Sequence, residues 1–202
     1  QITHVDLTGF YNGWIHQPGF LHFSLDSIIP MNQQDGYTLS MKQKLYHAIN
    51  YAENNRVDVA FYSNSGDYKL IENITFSGES AYVQVSIPFQ PDFWIVDPNE
   101  KLADAIIDYT VSVPPLSLIN CNDAYFKIKS TNSSDTSKVR VDYNLATPDP
   151  LRVSNPNVYR ISNHHYWKVE FLENNITSGE FQFRYLANGT NSPDEDLLQG
   201  FT

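Results

Sequence analysis

The residues able to do chemistry are few and widely spaced. Six histidines occur: His4, His16, His22, His47, His164 and His165. A zinc site built on one helix needs two imidazoles four residues apart with a glutamate beside them, HExxH, because that spacing turns both rings to one side. No histidine pair here has it. His164 and His165 are adjacent, and neighbouring side chains on a strand point to opposite faces, so the two do not share a metal. Cys121, the single cysteine, lies in INCNDAYF with no histidine nearby to take its proton, and reads as a structural thiol. There is no GxSxG elbow, and the glycines are too scattered to cradle a phosphate. The stretch DPNEKLADAIID offers Asp97, Asn99, Glu100, Asp104 and Asp108. An EF-hand loop wants an oxygen ligand fifth, glycine sixth and glutamate twelfth, where this chain has Lys101, Leu102 and Asp108. The later acidic turn at Asp194, Glu195 and Asp196 reads as solvated. Four Asn-x-Ser/Thr sequons, at Asn73, Asn132, Asn175 and Asn188, fall in or beside turns. No catalytic residue, metal ligand or cofactor is therefore expected within this chain.

Composition narrows the class. The chain has 202 residues, of which 41% are hydrophobic, 14% aromatic and only 18% charged, which is enough apolar material for one large or two small cores. Its net charge of −10 and lack of Lys/Arg clusters argue against nucleic acid, since binding phosphates requires concentrated cations. No apolar run approaches the length of a membrane span. One cysteine excludes an intrachain disulfide.

The elements that would position any site are strands. AYVQVSIPF places Val83, Val85, Ile87 and Phe89 on one face. KVRVDYNL alternates Val139, Val141, Tyr143 and Leu145 against Lys138, Arg140, Asp142 and Asn144. YWKVEF and FQFRY set Trp167, Val169, Phe171, Phe181 and Phe183 toward a core, and LHFSL, YTLSMKQKL, VDVAF and YFKIK behave likewise. Such period-2 alternation predicts antiparallel sheets with one face buried. The runs are separated by turn clusters such as YSNSGD, STNSSDTS and ATPDP. The prediction is an all-β chain of two consecutive immunoglobulin-like antiparallel β-sandwiches, residues 17–98 and 99–202, preceded by a short helix within 1–16. The segment KLADAIIDY at the join suits a short helix or a strand equally. Because most aromatics fall on the apolar phase, a flat sugar-binding strip is the secondary reading, giving as alternative a free-standing carbohydrate- or surface-binding double sandwich.

The front of the chain differs. Val5, Leu7, Phe10, Tyr11, Trp14 and Ile15 form one stripe of a helix, with Asp6 or Thr3 as cap and Pro18 ending it before the strand FLHFSLDSI. The stretch FYNGWIHQPGFLHFSLDSI resembles the join in aminopeptidase-N-like zinc metallopeptidases (gluzincins), carried by Phe10-Tyr11, Trp14 and Pro18-Gly19. FWIVDPNEKLADAIIDY, ATPDPLRVSNPNVYRISNHHYWKVEF and DEDLLQG are similar to later segments of a bacterial subgroup, although His165 stands where that subgroup tends to have arginine.

The resemblance implies a non-catalytic C-terminal region of a secreted or periplasmic peptidase. Residues 1–16 would be the end of the helical part of the catalytic region, and the two sandwiches would support that region and flank its substrate cleft. The partner would be the upstream catalytic domain of the same polypeptide, met through Phe10, Tyr11, Trp14 and Ile15. Zinc and hydrolase activity would belong to the parent metallopeptidase, whose zinc motif and transition-state tyrosine lie upstream, so no catalytic residue carries over to this chain.

Overall fold

The computed structural model describes residues 6–32, 35–148, 162 and 164–184. His4, Asn188, the acidic turn at 194–196 and the segment 149–161 lie outside the described residues. The chain divides into two units, Gln1–Ala105 and Ile106–Thr202, and each builds two three-stranded antiparallel sheets around its own apolar core.

In the first unit a short helical segment, α1 (Thr8–Phe10), runs into a π-helical turn (Tyr11–Ile15). It precedes β1 (Phe20–Pro30), β2 (Gly36–Tyr46), β3 (Asn55–Tyr62), β4 (Tyr68–Phe76), β5 (Ser80–Ser86) and β6 (Phe93–Val96). The sheets run β1-β2-β5 and β4-β3-β6. First, second and fifth strands together, with third and sixth opposite, is the immunoglobulin arrangement, here with the fourth strand beside the third. Alternation explains the core: Leu21, Phe23 and Leu25 of β1 and Leu39 and Met41 of β2 meet Val57, Val59 and Phe61 of β3 and Ile74 and Phe76 of β4. Trp94 lays its ring on this core and donates its indole N–H to the Leu25 carbonyl at 2.9 Å, so its one polar atom is satisfied.

The second unit contains β7 (Ile106–Val113), β8 (Leu118–Cys121), β9 (Phe126–Ser133), β10 (Ser137–Asn144), β11 (Tyr166–Glu173) and β12 (Ile176–Phe183). Its sheets run β11-β10-β7 and β12-β9-β8. Val113, Cys121, Phe126, Ile128, Val139, Val141 and Tyr143 are buried between them.

The unit boundary falls after Ala105 rather than at 98/99. The reason is a lock on the segment following β6. Asp97 accepts the main-chain N–H groups of Lys101 and Leu102 at 3.0 and 2.7 Å, Lys101 reaches the buried Asp58 carboxylate of β3 at 2.6 Å, and Ala105 N–H donates to the Leu21 carbonyl at 2.7 Å. KLADAIIDY resolves in the same way: its first half belongs to this lock, and its second half starts β7 as a strand.

Several side chains depart from the alternation, buried His22, Asp58 and Ala60 of the first unit among them, and the second unit adds two sets. Arg140 and Asn144 were expected to face water yet are buried. Arg140 lies 2.8 Å from both Asp108 of β7 and Asp142 of its own strand, and Lys168 of β11 lies 3.0 Å from Glu170, so the face opposite the core carries paired charges rather than solvated ones. Burial pushes the Asp142 carboxyl above the ordinary range, Arg140 and Lys168 pull it back, and Asp108 and Glu170 add to the rise. Conversely, Phe181 and Phe183 are exposed although they lie on the apolar phase. Among the described residues β12 pairs only with β9 in its sheet, so its rings lean on Phe126, Phe171 and Trp167 from one side and stay open on the other.

The Asp58–Lys101 pair gives a pH signature. Burial raises the Asp58 carboxyl, but the Lys101 ammonium and the Asn73 N–H outweigh it and hold the group below the usual carboxylate range. A depressed folded-state value gives stability that is present above the unfolded value of about 3.9 and lost as pH falls through the folded one. Lys101 is raised by its bond to Asp58, against its own desolvation, so its share is present below about pH 10.4 and lost as pH rises through its folded value. Urea unfolding should therefore find Lys101→Met less stable than the native chain at neutral pH. The gap should close in acid as Asp58 protonates, and in strong base as Lys101 loses its proton. A gap constant across the acid limb would show that the ion pair is not its source.

Candidate functional site

The helical segment starts at Thr8, later than the stripe from Val5 suggested, and Asp6 accepts the Thr8 N–H at 2.9 Å. It closes with the five-residue step from His16 N–H to the Tyr11 carbonyl, 2.8 Å. Widening by one residue per turn rotates the stripe. As a result Trp14 turns toward the sandwich, while Phe10, Tyr11 and Ile15 turn outward.

The inward side is tightly built. Trp14 stacks on Phe23 of β1 at 6.0 Å and donates its indole N–H to Asn55 Oδ1 at 3.0 Å. Gly13, the one buried residue of the turn, lies directly on Ala52. A Cβ at residue 13 would sit 2.6 Å from the Ala52 Cα and overlap its methyl. Gln17 continues the contact. Its Oε1 accepts the N–H groups of Ile49 and Asn50 at 3.0 and 2.7 Å, and its Nε2 donates to the carbonyls of Gly13 and Asn50. Pro18-Gly19 then turns the chain into β1, and glycine is required at the second place. Residue 19 has φ of +82°, and a side chain there would strike the main chain of residues 46–48.

The outward side is apolar and open. Phe10 and Tyr11 are each 46% exposed and Ile15 60%. Phe10 meets Tyr11 edge-on at 5.8 Å and lies over Trp14 at 6.5 Å, so three of the four expected interface residues form one ring cluster, with Trp14 as its root. Leu7 lines the same groove as Phe10 and Trp14, and Phe20, Ile49 and Tyr51 are also exposed. Seven of the fourteen exposed large hydrophobics among the described residues thus lie in residues 7–20 and 49–51. Scattered exposed apolar residues are ordinary, and this concentration along the chain stands out from them.

Beside this cluster a groove of about 540 Å³ runs between the helical segment and the start of β3, lined by Asp6, Leu7, Phe10, Trp14, Asn54, Asn55, Arg56 and Thr75. Its polar wall was not foreseen from sequence. The only local signal is the Asn54-Asn55 pair, where Asn54 takes a φ of 55° that asparagine tolerates better than most residues.

The other residues weighed from sequence do not gather. His165 is buried beside Tyr143 and Trp167 while its neighbour His164 is exposed. Among the described residues, no group of three or more His, Cys, Asp or Glu side chains is placed to hold a metal. Cys121 is buried, and burial pushes its thiol up, away from the thiolate that a nucleophile needs. The rings of Tyr68, Tyr62 and Phe93 form a row across β4, β3 and β6, but Tyr62 and Phe93 lie ring against ring at 4.7 Å and 6°. Tyr62 therefore spends a face on its neighbour instead of presenting it to a sugar. No described helix is long and apolar enough to cross a membrane.

The Gly13–Ala52 contact makes a quantitative prediction. Gly13→Val should cost about 1–3 kcal/mol through overpacking, read from urea unfolding, and should speed exchange of the His16 amide. Asn12→Val, which places the same side chain at an exposed neighbouring position with little change in helix propensity, should do neither.

In comparisons with protein families, curated proteins and solved structures nothing matches this chain.

Proposed function

We propose that this chain is the non-catalytic double-sandwich region of an aminopeptidase-N-like zinc metallopeptidase, secreted or periplasmic. In this reading the outward helix face docks it onto the helical part of the upstream catalytic region. One observation carries the reading: Phe10, Tyr11 and Ile15 are open on a segment whose reverse side is bolted to the first sandwich by Gly13, Trp14 and Gln17. A helix of this length is not stable alone, so its inner contacts hold it in place and its outer rings are left presented. Covering the exposed half of each ring is worth about 2 kcal/mol, which suits a permanent contact within one polypeptide. The resemblance through Phe10-Tyr11, Trp14 and Pro18-Gly19 supplies the partner. The metal chemistry belongs to that partner, and no residue of this chain is assigned to zinc.

Two measurements test this. The coding sequence upstream of Gln1 should encode HExxH followed by a further zinc-ligating glutamate. In the full polypeptide, the combined variant Phe10→Ser, Tyr11→Ser and Ile15→Ser should lower the melting temperature of the catalytic region and reduce aminopeptidase activity. In the isolated 202-residue chain it should leave the unfolding midpoint nearly unchanged. An upstream sequence without the zinc motif, or full-length enzyme indifferent to the triple change, overturns the reading.

A further inference from the structure

Sheet edges present unpaired backbone groups, and proteins usually blunt them with charge, proline, a bulge or shortness. Seven of the eight edges among the described residues are blunted in one of these ways. β1 carries Asp26 at a bulge and ends in Pro30, and β4 carries Lys69, Glu72 and a bulge opposite Asp58. β7 carries Asp108, β11 carries Lys168, Glu170 and Glu173, and β12 carries Glu180 and two register shifts. β6 and β8 have four residues each. The exception is β5, Ser80-Ala-Tyr-Val-Gln-Val-Ser86, which has no charge and no proline, and whose register against β2 runs without interruption.

The ladder fixes which β5 groups face outward. Gln43 N–H donates to the Glu79 carbonyl at one end and Ile87 N–H to the Asp35 carbonyl at the other, both at 2.8 Å. Hydrogen-bonded pairs alternate along an antiparallel ladder, so Ala81, Val83 and Val85 turn their N–H and C=O toward β2. Ser80, Tyr82, Gln84 and Ser86 turn theirs away, and no described backbone group pairs with them there. Their side chains are exposed, Tyr82 by 76%. Ala81, Val83 and Val85 lie on the core but stay half-buried, as residues with a neighbour strand on one side only.

We infer that β5 is a self-pairing edge, and that two copies of this chain join antiparallel through it about a two-fold axis at Val83. The strand is nearly a palindrome about that residue. Ser80 then meets Ser86, Ala81 meets Val85, Tyr82 meets Gln84, and Val83 meets its own counterpart. Every outward-facing residue meets an outward-facing residue, so the edge hydrogen bonds form together. The half-buried Ala81, Val83 and Val85 gain apolar neighbours on the same face. No like charges collide, which matters in a chain of net charge −10. The same patch serves both copies, the isologous condition that closes a dimer rather than growing a fibre. A joint of one strand pair buries less than a standard interface, so the pairing is weak and concentration-dependent.

Sedimentation of the 202-residue chain between micromolar and millimolar concentration should show the mass rising from 23.1 kDa toward twice that value. Gln84→Pro removes an outward N–H and no bond to β2, so it should hold the chain at monomer mass with its melting temperature retained, while Gln84→Ala should still dimerise. Independently, Val83→Cys should give a reducible disulfide-linked dimer, since Cys121 is buried and does not compete. A chain monomeric throughout, a Val83→Cys chain that fails to cross-link, or a dimer that survives Gln84→Pro and is lost with Phe10→Ser and Ile15→Ser overturns the proposal. The last outcome would assign the contact to the helix face instead.

Discussion

The first unit turns on Ala52. Its methyl is the surface against which Gly13 packs, which sets how close the helical segment lies. Its N–H donates to Gln43 Oε1 at 2.8 Å, and its carbonyl accepts from Gln43 Nε2 at 3.1 Å and Asn55 Nδ2 at 2.9 Å. Gln43 is wholly buried on β2 and also donates to the Gly78 carbonyl at 2.8 Å, so one carboxamide joins the loop before β3 to the loop before β5. Asn55 passes the connection on, donating to Phe76 and accepting from Trp14. A buried amide left without partners would cost about 1–3 kcal/mol. Here the partners are supplied in a chain, so loop, sheets and helical segment hold their places together.

That network explains how a short, π-wound segment stays ordered while offering its rings outward. The polar atoms of Trp14 and Gln17 are spent inward, on Asn55 and on the backbone of residues 49–50, leaving hydrocarbon on the outer face. The fixed φ of Gly19 and its contact with residues 46–48 set the angle at which the segment leaves β1. The outer rings are therefore held from behind by these inner contacts, and preorganisation of this kind lowers the entropy a surface loses when it is covered.

The second unit uses its polar residues differently. On β7, β10 and β11 the charges pair both ways: Arg140 reaches Asp108 across to β7 and Asp142 two residues along its own strand, and Lys168 reaches Glu170 along β11. The indole of Trp167 is satisfied by the Ala124 carbonyl at 2.7 Å, much as Trp94 uses Leu25 in the first unit. In both units the largest apolar side chains keep their one polar atom paired, which lets them reach the core without a desolvation penalty.

The sequence by itself determined the strands. Period-2 alternation in LHFSL, YTLSMKQKL, VDVAF and KVRVDYNL is a local property, because one face must leave water wherever the sheet lies, and these runs are β1, β2, β3 and β10. Phe10, Tyr11, Trp14 and Ile15 were likewise legible as an apolar stripe ended by Pro18-Gly19. What the stripe could not reveal was its division into an inward Trp14 and outward rings, since that depends on the π-turn and on Ala52, thirty-nine residues beyond Gly13. Asn54, Asn55, Arg56 and Thr75 of the groove wall carry no periodic signal, because they are polar and face a gap. Arg140 was assigned to water because alternation reports only which residues share a face. Whether that face carries paired charges is decided by Asp108, thirty-two residues earlier, and by the register of β7 against β10. The exposure of Phe181 and Phe183 was likewise decided by strand order, which among the described residues leaves β12 paired on one side only within its sheet. Contacts between neighbours in sequence are written in its pattern; contacts that close long loops depend on which strands meet, and only the folded chain decides that.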